Sequence, residues 1–142
     1  MVMHNRPKPH SKTAQRKTGD TYEQQACRLL IEQGLQICHT NYTAAGVGEI
    51  DIIATEQTSV RGKIMPCLVF VEVRFRRQSQ FVDAIGSITP TKQRRIINTA
   101  MHFLQSNTDY QAWSCRFDVV GFTQDKAGNV ACEWLKGAFD VQ

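Results

Sequence analysis

The alternation of apolar and polar positions divides the chain into seven elements. Tyr22, Ala26, Leu29, Leu30 and Gln33 recur at helical spacing and Gly34 supplies a stop, which predicts an amphipathic helix of about four turns. Asp20 and Thr21, with Glu23 and Gln24 three positions on, read as its N-cap and capping box. Residues 35–42 alternate weakly, as a first strand. After a turn at Gly46 and Gly48, residues 49–54 predict a second strand, with Ile50, Ile52 and Ala54 on one face and Glu49, Asp51 and Ile53 on the other. Residues 55–66 are polar and contain Gly62, which suits a long hairpin connection. Residues 67–75 form the strongest strand. It is apolar on both faces at its start, as a central strand covered on both sides would be, and Glu72 and Arg74 share a face near its end. Residues 76–87 have no period and read as a loop with one helical turn. Thr89-Pro90 opens a second amphipathic helix carrying Ile96, Ile97, Ala100, Phe103 and Leu104. Residues 113–122 and 130–135 predict two last strands joined by a turn. The order α-β-β-β-α-β-β points to an α/β fold, a mixed central sheet flanked by helices.

Composition narrows the class. The 142 residues fit one domain, and 21% charged residues with a mean hydropathy of -0.35 describe a globular chain rather than a disordered one. No apolar run approaches the roughly 20 residues that span a bilayer, and no apolar segment follows the basic N-terminus, so a cytoplasmic protein without a membrane partner is expected. The net charge of +4 is uneven. Arg6, Lys8, Lys12, Arg16 and Lys17 stand among the first 19 residues with no acid, and the remainder is close to neutral. Residues 1–18 therefore read as a basic, flexible tail and residues 19–142 as a single domain. Such a tail either tracks nucleic-acid phosphates or keeps the chain soluble. Cys27, Cys38, Cys67, Cys115 and Cys132 form no C-x-x-C pair and have no histidine at zinc-ligand spacing, so they read as reduced thiols behaving as small hydrophobes.

The candidate chemistry lies in acids inside apolar strands. Desolvating a carboxylate costs several kcal/mol unless it is paired or metal-bound. Asp51 and Glu72, with Glu49 as a third acid, would stand on adjacent strands. One alternative is a set of ion pairs to Arg74. The other is a Mg²⁺ site, since Mg²⁺ takes roughly six oxygens from one or two carboxylates, waters and substrate phosphate. An aspartate on one strand and Glu-x-Lys on the next make such a site in many nucleases, where the third side chain orients or activates water. The window 72–95 adds Arg74, Arg76, Arg77, Lys92, Arg94 and Arg95 against two acids, as expected where a polyanion approaches fixed negative charge. Phe75 and Phe81 read as core residues more readily than as base-stacking ones, and Asp118 as the ion-pair partner of Arg116. His4, His10, His39 and His102 share no spacing that suits metal chemistry.

Several ordered motifs carry a resemblance: G-D-x-x-E-x-x-A at 19–26, G-E-I-D-I-I at 48–53, V-F-V-E-V-R-F-R-R at 69–77, T-x-x-K-Q-R-R-I ending at Ile96, R-F-D-V-V-G-F from Arg116 and E-W-L-K-G-A-F from Glu133. Together, over residues 19–139, the sequence resembles the YraN family of bacterial proteins, which is similar to restriction endonucleases of the PD-(D/E)XK type and to archaeal Holliday-junction resolvases. The resemblance implies a restriction-endonuclease-like core and a site for Mg²⁺ or Mn²⁺ held by Glu23, Asp51 and Glu72. It also implies a lysine role at position 74, DNA as partner, branched or structured DNA as substrate, and two-fold association.

One departure bears on catalysis: position 74 is arginine. A guanidinium stays charged throughout the neutral range, so it can stabilise charge but cannot act as a base. Lys92 is the other candidate for that role, against a plain reading as a solvated helix-end lysine. Two functions follow as expectations: a metal-dependent endonuclease acting on DNA, or a catalytically degenerate nuclease fold that binds nucleic acid or protein without hydrolysis.

Overall fold

A computed structural model describes residues 11–77 and 84–141, with side chains described from residue 21 onward. Helix α1 spans Ser11–Glu32. It is followed by strands β1 (Gln36–Ala44), β2 (Gly48–Val60) and β3 (Lys63–Arg77), a 3-10 turn at Ile85–Ser87, helix α2 (Pro90–Ser106), and strands β4 (Ser114–Gln124) and β5 (Val130–Phe139). The sheet order is β1-β2-β3-β4-β5, and β3 pairs in parallel with β4 while every other neighbouring pair is antiparallel. The parallel step needs a crossover, and α2 supplies it. No helix among the described residues is long and apolar enough to cross a membrane.

The two sheet faces carry two cores. Ala26 and Leu30 of α1 pack on Ile52, Ala54, Val69, Val71, Val120 and Phe122. On the other face Ile96, Ala100 and Phe103 of α2 pack on Ile50, Ile53, Leu68, Phe70, Phe117 and Val119. Residues 67–71 of β3 are buried throughout, which is why that run is apolar at every position. Each fully buried Leu, Ile or Phe contributes about 1.5–3 kcal/mol of transfer free energy. Phe75 stacks on Tyr22 with ring centroids 4.8 Å apart, so its ring belongs to the α1-side core. Phe81 lies outside the described residues.

Four expectations need correction. Helix α1 starts at Ser11, not near Asp20, so the second half of the segment read as a tail is helical. Lys12, Ala14, Gln15, Arg16 and Lys17 are good helix formers without an apolar period, so their propensity favours continuing the helix while the sequence pattern gives no sign of it. Residues 1–10 lie outside the described part. Residues 55–66 are not a loop: β2 runs to Val60 and β3 begins at Lys63, with only Arg61 and Gly62 between. Both turn residues have positive φ (52° and 79°), as a two-residue type I′ hairpin requires. The arm is polar because most of it faces water, and polarity without an apolar side resembles a loop. Ile50 and Ile52 lie on opposite faces, since Ile50 packs with Ile53 under α2 and Ile52 with Ala54 under α1. The alternation breaks at Asp51. Finally, of the five cysteines, all free, only Cys67 is buried; Cys38, Cys115 and Cys132 are exposed.

Candidate active site

The break at Asp51 creates the site. Backbone pairing between β2 and β3 runs from Val60↔Lys63 as far as Ile52↔Val71. Beyond that last pair, the Asp51 Oδ2 accepts the Val73 N–H at 2.8 Å, so a side chain takes the place of the ladder. Glu72 follows on the neighbouring strand and is 4% exposed. Its carboxyl is hydrogen-bonded to that of Asp51.

Burial, and then the charge of Asp51, push Glu72 up to about 8, against the opposing pull of Lys92 and Arg74. Burial also raises Asp51, countered by the Val73 N–H and by the hydrogen bond from Glu72. Burial and mutual repulsion therefore favour a proton shared between the two carboxyls at neutral pH. Two cations face it: Arg74 Nη1 and Lys92 Nζ each lie 3.5 Å from Glu72 Oε2. With a shared proton the acids carry one negative charge against two positive ones, a balance that favours an arriving anion.

Lys92 reaches the site because Thr89 caps α2, its Oγ1 accepting the Lys92 N–H at 3.1 Å, which fixes the first helical turn beside β3. Arg74 is held from a second direction. Its Nε donates to Ser87 Oγ at 3.1 Å, and Ser87 Oγ donates to the Ala84 carbonyl at 2.6 Å. The segment 84–87 lies against β4 at Gly121, where a Cβ would come 2.9 Å from that of Ala84. Ser87 carried no mark in the sequence pattern, whereas Gly121, a glycine inside an apolar strand motif, is the kind of residue that marks a close approach.

The remaining predicted residues divide. Glu23 is half-buried and lines a hollow of about 520 Å³ between α1 and β1 with Gln24, Cys27, Arg28, Thr40 and Asn41. Among the described residues no three or more His, Cys, Asp or Glu side chains gather as a metal-ligating cluster. Arg76 is half-buried beside Arg74, and burial with that neighbouring charge lowers its pKa; its Nη1 donates to the Phe75 carbonyl at 2.8 Å. Arg77 is exposed at the end of β3, and exposed Arg94 donates to Thr91 Oγ1 at 3.3 Å. Glu49 and Arg95 line a hollow beside α2 to which Lys92 also belongs. Asp118, fully buried, accepts from Arg116 Nε and Nη2, from Trp134 Nε1 and from the Gly137 N–H, at 2.8–3.0 Å. Those four bonds occupy both oxygens, which makes Asp118 a structural acid. Tyr42 joins two of the histidines, with its Oη 2.6 Å from His102 Nδ1 and its ring edge-on to His39.

The model of a family described as "Uncharacterised protein family UPF0102" matches residues 22–122, from α1 to within β4, including Asp51, Glu72, Arg74 and Lys92. The chain belongs to the UPF0102 family. This is the YraN family whose motifs run through the sequence. A UPF0102 protein of Nitrosococcus oceani is 45% identical over 128 residues, covering 89% of this chain and 94% of that protein. A relative from Coxiella burnetii is 41% identical over 126 residues with the same coverage. One from Francisella tularensis is 37% identical over 123 residues, 87% of this chain and 94% of its own length. Membership in UPF0102 establishes kinship, and the chemistry rests on the site.

Proposed function

We propose that the chain binds nucleic acid and hydrolyses phosphodiester bonds of DNA with Mg²⁺ or Mn²⁺, at a site of restriction-endonuclease-like design. The observation that carries this reading is the meeting of Asp51 and Glu72 across adjacent strands, with Lys92 and Arg74 both 3.5 Å from the same Glu72 oxygen. Branched or structured DNA as the preferred substrate rests on the sequence resemblance.

The donor set suits a hard cation. Two carboxyls already share one proton in a buried place, and a divalent cation competes for the same oxygens. Asp51 and Glu72 would hold it, and it would supply charge at the phosphate oxygens and acidify a water. The protein's own groups do the rest. Arg74, fixed by Ser87, holds a phosphate oxygen and stabilises charge that builds there. Lys92 takes the lysine role that position 74 lacks, because an ammonium can exchange a proton where a guanidinium cannot. The mixed sheet between two helices, with the acids at the point where β2 and β3 part, agrees with such a core.

A second reading is favoured by the same oxygen. Glu72 Oε2 already faces two cations, so the charge of the pair is met without metal, and a non-hydrolysing nucleic-acid module would need no more. Cleavage separates the two. Labelled duplex, forked and four-way DNA incubated with Mn²⁺ should be cut by the wild type, while Asp51→Asn and Lys92→Ala bind DNA but cut it at least about 100-fold more slowly. Equal cleavage by Asp51→Asn would remove the site assignment, and no cleavage by the wild type alongside tight binding would leave the module.

A further inference from the structure

The β1–β2 turn does more than connect strands. Residues 43–49 form one wall of a hollow of about 540 Å³, and Lys92, Arg95 and Ile96 of α2 form the other. That volume lies in the range of roughly 300–1,000 Å³ typical of small-molecule sites. The wall is fixed: a Cβ on Gly48 would stand 2.7 Å from Thr99 Oγ1, so the turn rests directly on the helix. Thr99 is fully buried and donates to the Arg95 carbonyl at 2.7 Å. Lys92 belongs both to this hollow and to the carboxyl pair.

We propose that this hollow receives a backbone phosphate of the same nucleic-acid strand, next to the phosphate at Asp51 and Glu72, with Arg95 as its contact and Lys92 shared between the two positions. The proposal rests on the reading of the carboxyl pair as a nucleic-acid site. The charges favour a phosphodiester over a free phosphate. Because Lys92 is shared with Glu72, Lys92 and Arg95 against Glu49 leave the lining at most one positive charge, which suits a singly charged diester better than a doubly charged free phosphate. The path continues beyond the turn. A second hollow of about 410 Å³ is lined by Gly46 and Val47 and by Asn98, Met101, His102 and Gln105 of α2. Lys92, Arg95, Asn98, His102 and Gln105 follow one another at intervals of three or four, so these polar positions wind slowly around the helix from the first hollow to the second. From Lys92 to Gln105 the rise is about 20 Å. Exposed Arg94, bonded to Thr91, lies outside both hollows.

The test is fluorescence anisotropy of a fluorescein-labelled 20-nucleotide DNA, as single strand and as duplex, titrated with the full chain in EDTA between 50 and 200 mM NaCl. Arg95→Gln should weaken binding about 5–10-fold and reduce the log–log salt slope by about one, and Arg95→Lys should restore the slope. Glu49→Gln should tighten binding about 2–5-fold, and Arg94→Gln should change it less than about twofold. A salt slope unchanged in Arg95→Gln, or an equal loss in Arg94→Gln, overturns the subsite while wild-type binding leaves the nucleic-acid reading standing. Displacement of the DNA by inorganic phosphate at matched phosphate concentration would assign the hollow to a free anion and overturn it too. Absence of DNA binding by the wild type removes both.

Discussion

A Glu72→Gln variant isolates the proton held between Asp51 and Glu72. Burial and the charge of Asp51 raise Glu72 from its ordinary value of 4.5 to about 8 in the folded chain. Between those values the folded state keeps a proton that the unfolded state has released. The stabilisation is therefore whole below about pH 4.5 and is lost as pH rises through 8. Each pH unit in the window is worth about 1.4 kcal/mol, so between pH 5.5 and 7.5 this group lowers stability by about 2–3 kcal/mol. Glutamine keeps the shape and still offers Asp51 a donor but does not titrate. Urea unfolding in EDTA, followed by Trp113 and Trp134 fluorescence at pH 5.5, 6.5 and 7.5, reads the difference. The stability of Glu72→Gln relative to wild type should rise by about 2–3 kcal/mol across the two pH units. Curves that stay parallel within about 0.5 kcal/mol would refute the shared proton and the electrostatic account of the site.

Other expectations follow from the same packing. Asp118→Ala removes the acceptor of four hydrogen bonds and leaves the part-buried Arg116 with Glu56 alone, at a cost of about 3–5 kcal/mol in urea unfolding. Gly48→Ala forces a Cβ to within 2.7 Å of Thr99 Oγ1 and should cost about 1–3 kcal/mol, read as a lower Tm. Arg74→Lys loses the Nε bond to Ser87, which should cost about 1 kcal/mol. With Lys92 in the lysine role, that substitution should not increase DNA cleavage in Mn²⁺, whereas an increase would return the role to position 74.

The element order and most of the core were legible because both sheet faces are covered and each helix has one apolar stripe. Periodicity located β3, α2 and the apolar face of α1 from Tyr22 to Leu30. The outer half of the β2–β3 hairpin was not legible, since a strand with water on both sides has no apolar phase to detect. The start of α1 was not legible because residues 11–19 carry no apolar period. Asp51 and Glu72 were readable as acids out of place in apolar strands. What could not be read was the break in alternation at Asp51, which depends on where β2 and β3 part, and the tether from Arg74 through Ser87 to Ala84. The approach of Lys92 was open in the sequence, since a capped helix start and a strand end meet only through the crossover between β3 and β4.

The central claim is that Asp51 and Glu72 form a cation site that a proton otherwise fills. Isothermal titration calorimetry of Mn²⁺ into the wild type and into Asp51→Asn, repeated at pH 7 in two buffers of different ionisation enthalpy, tests it most directly. The account predicts one site in the wild type, release of about one proton per ion bound as the ion displaces the proton on Glu72, and loss of binding in Asp51→Asn. No binding to the wild type, or binding unchanged in the variant, would contradict it.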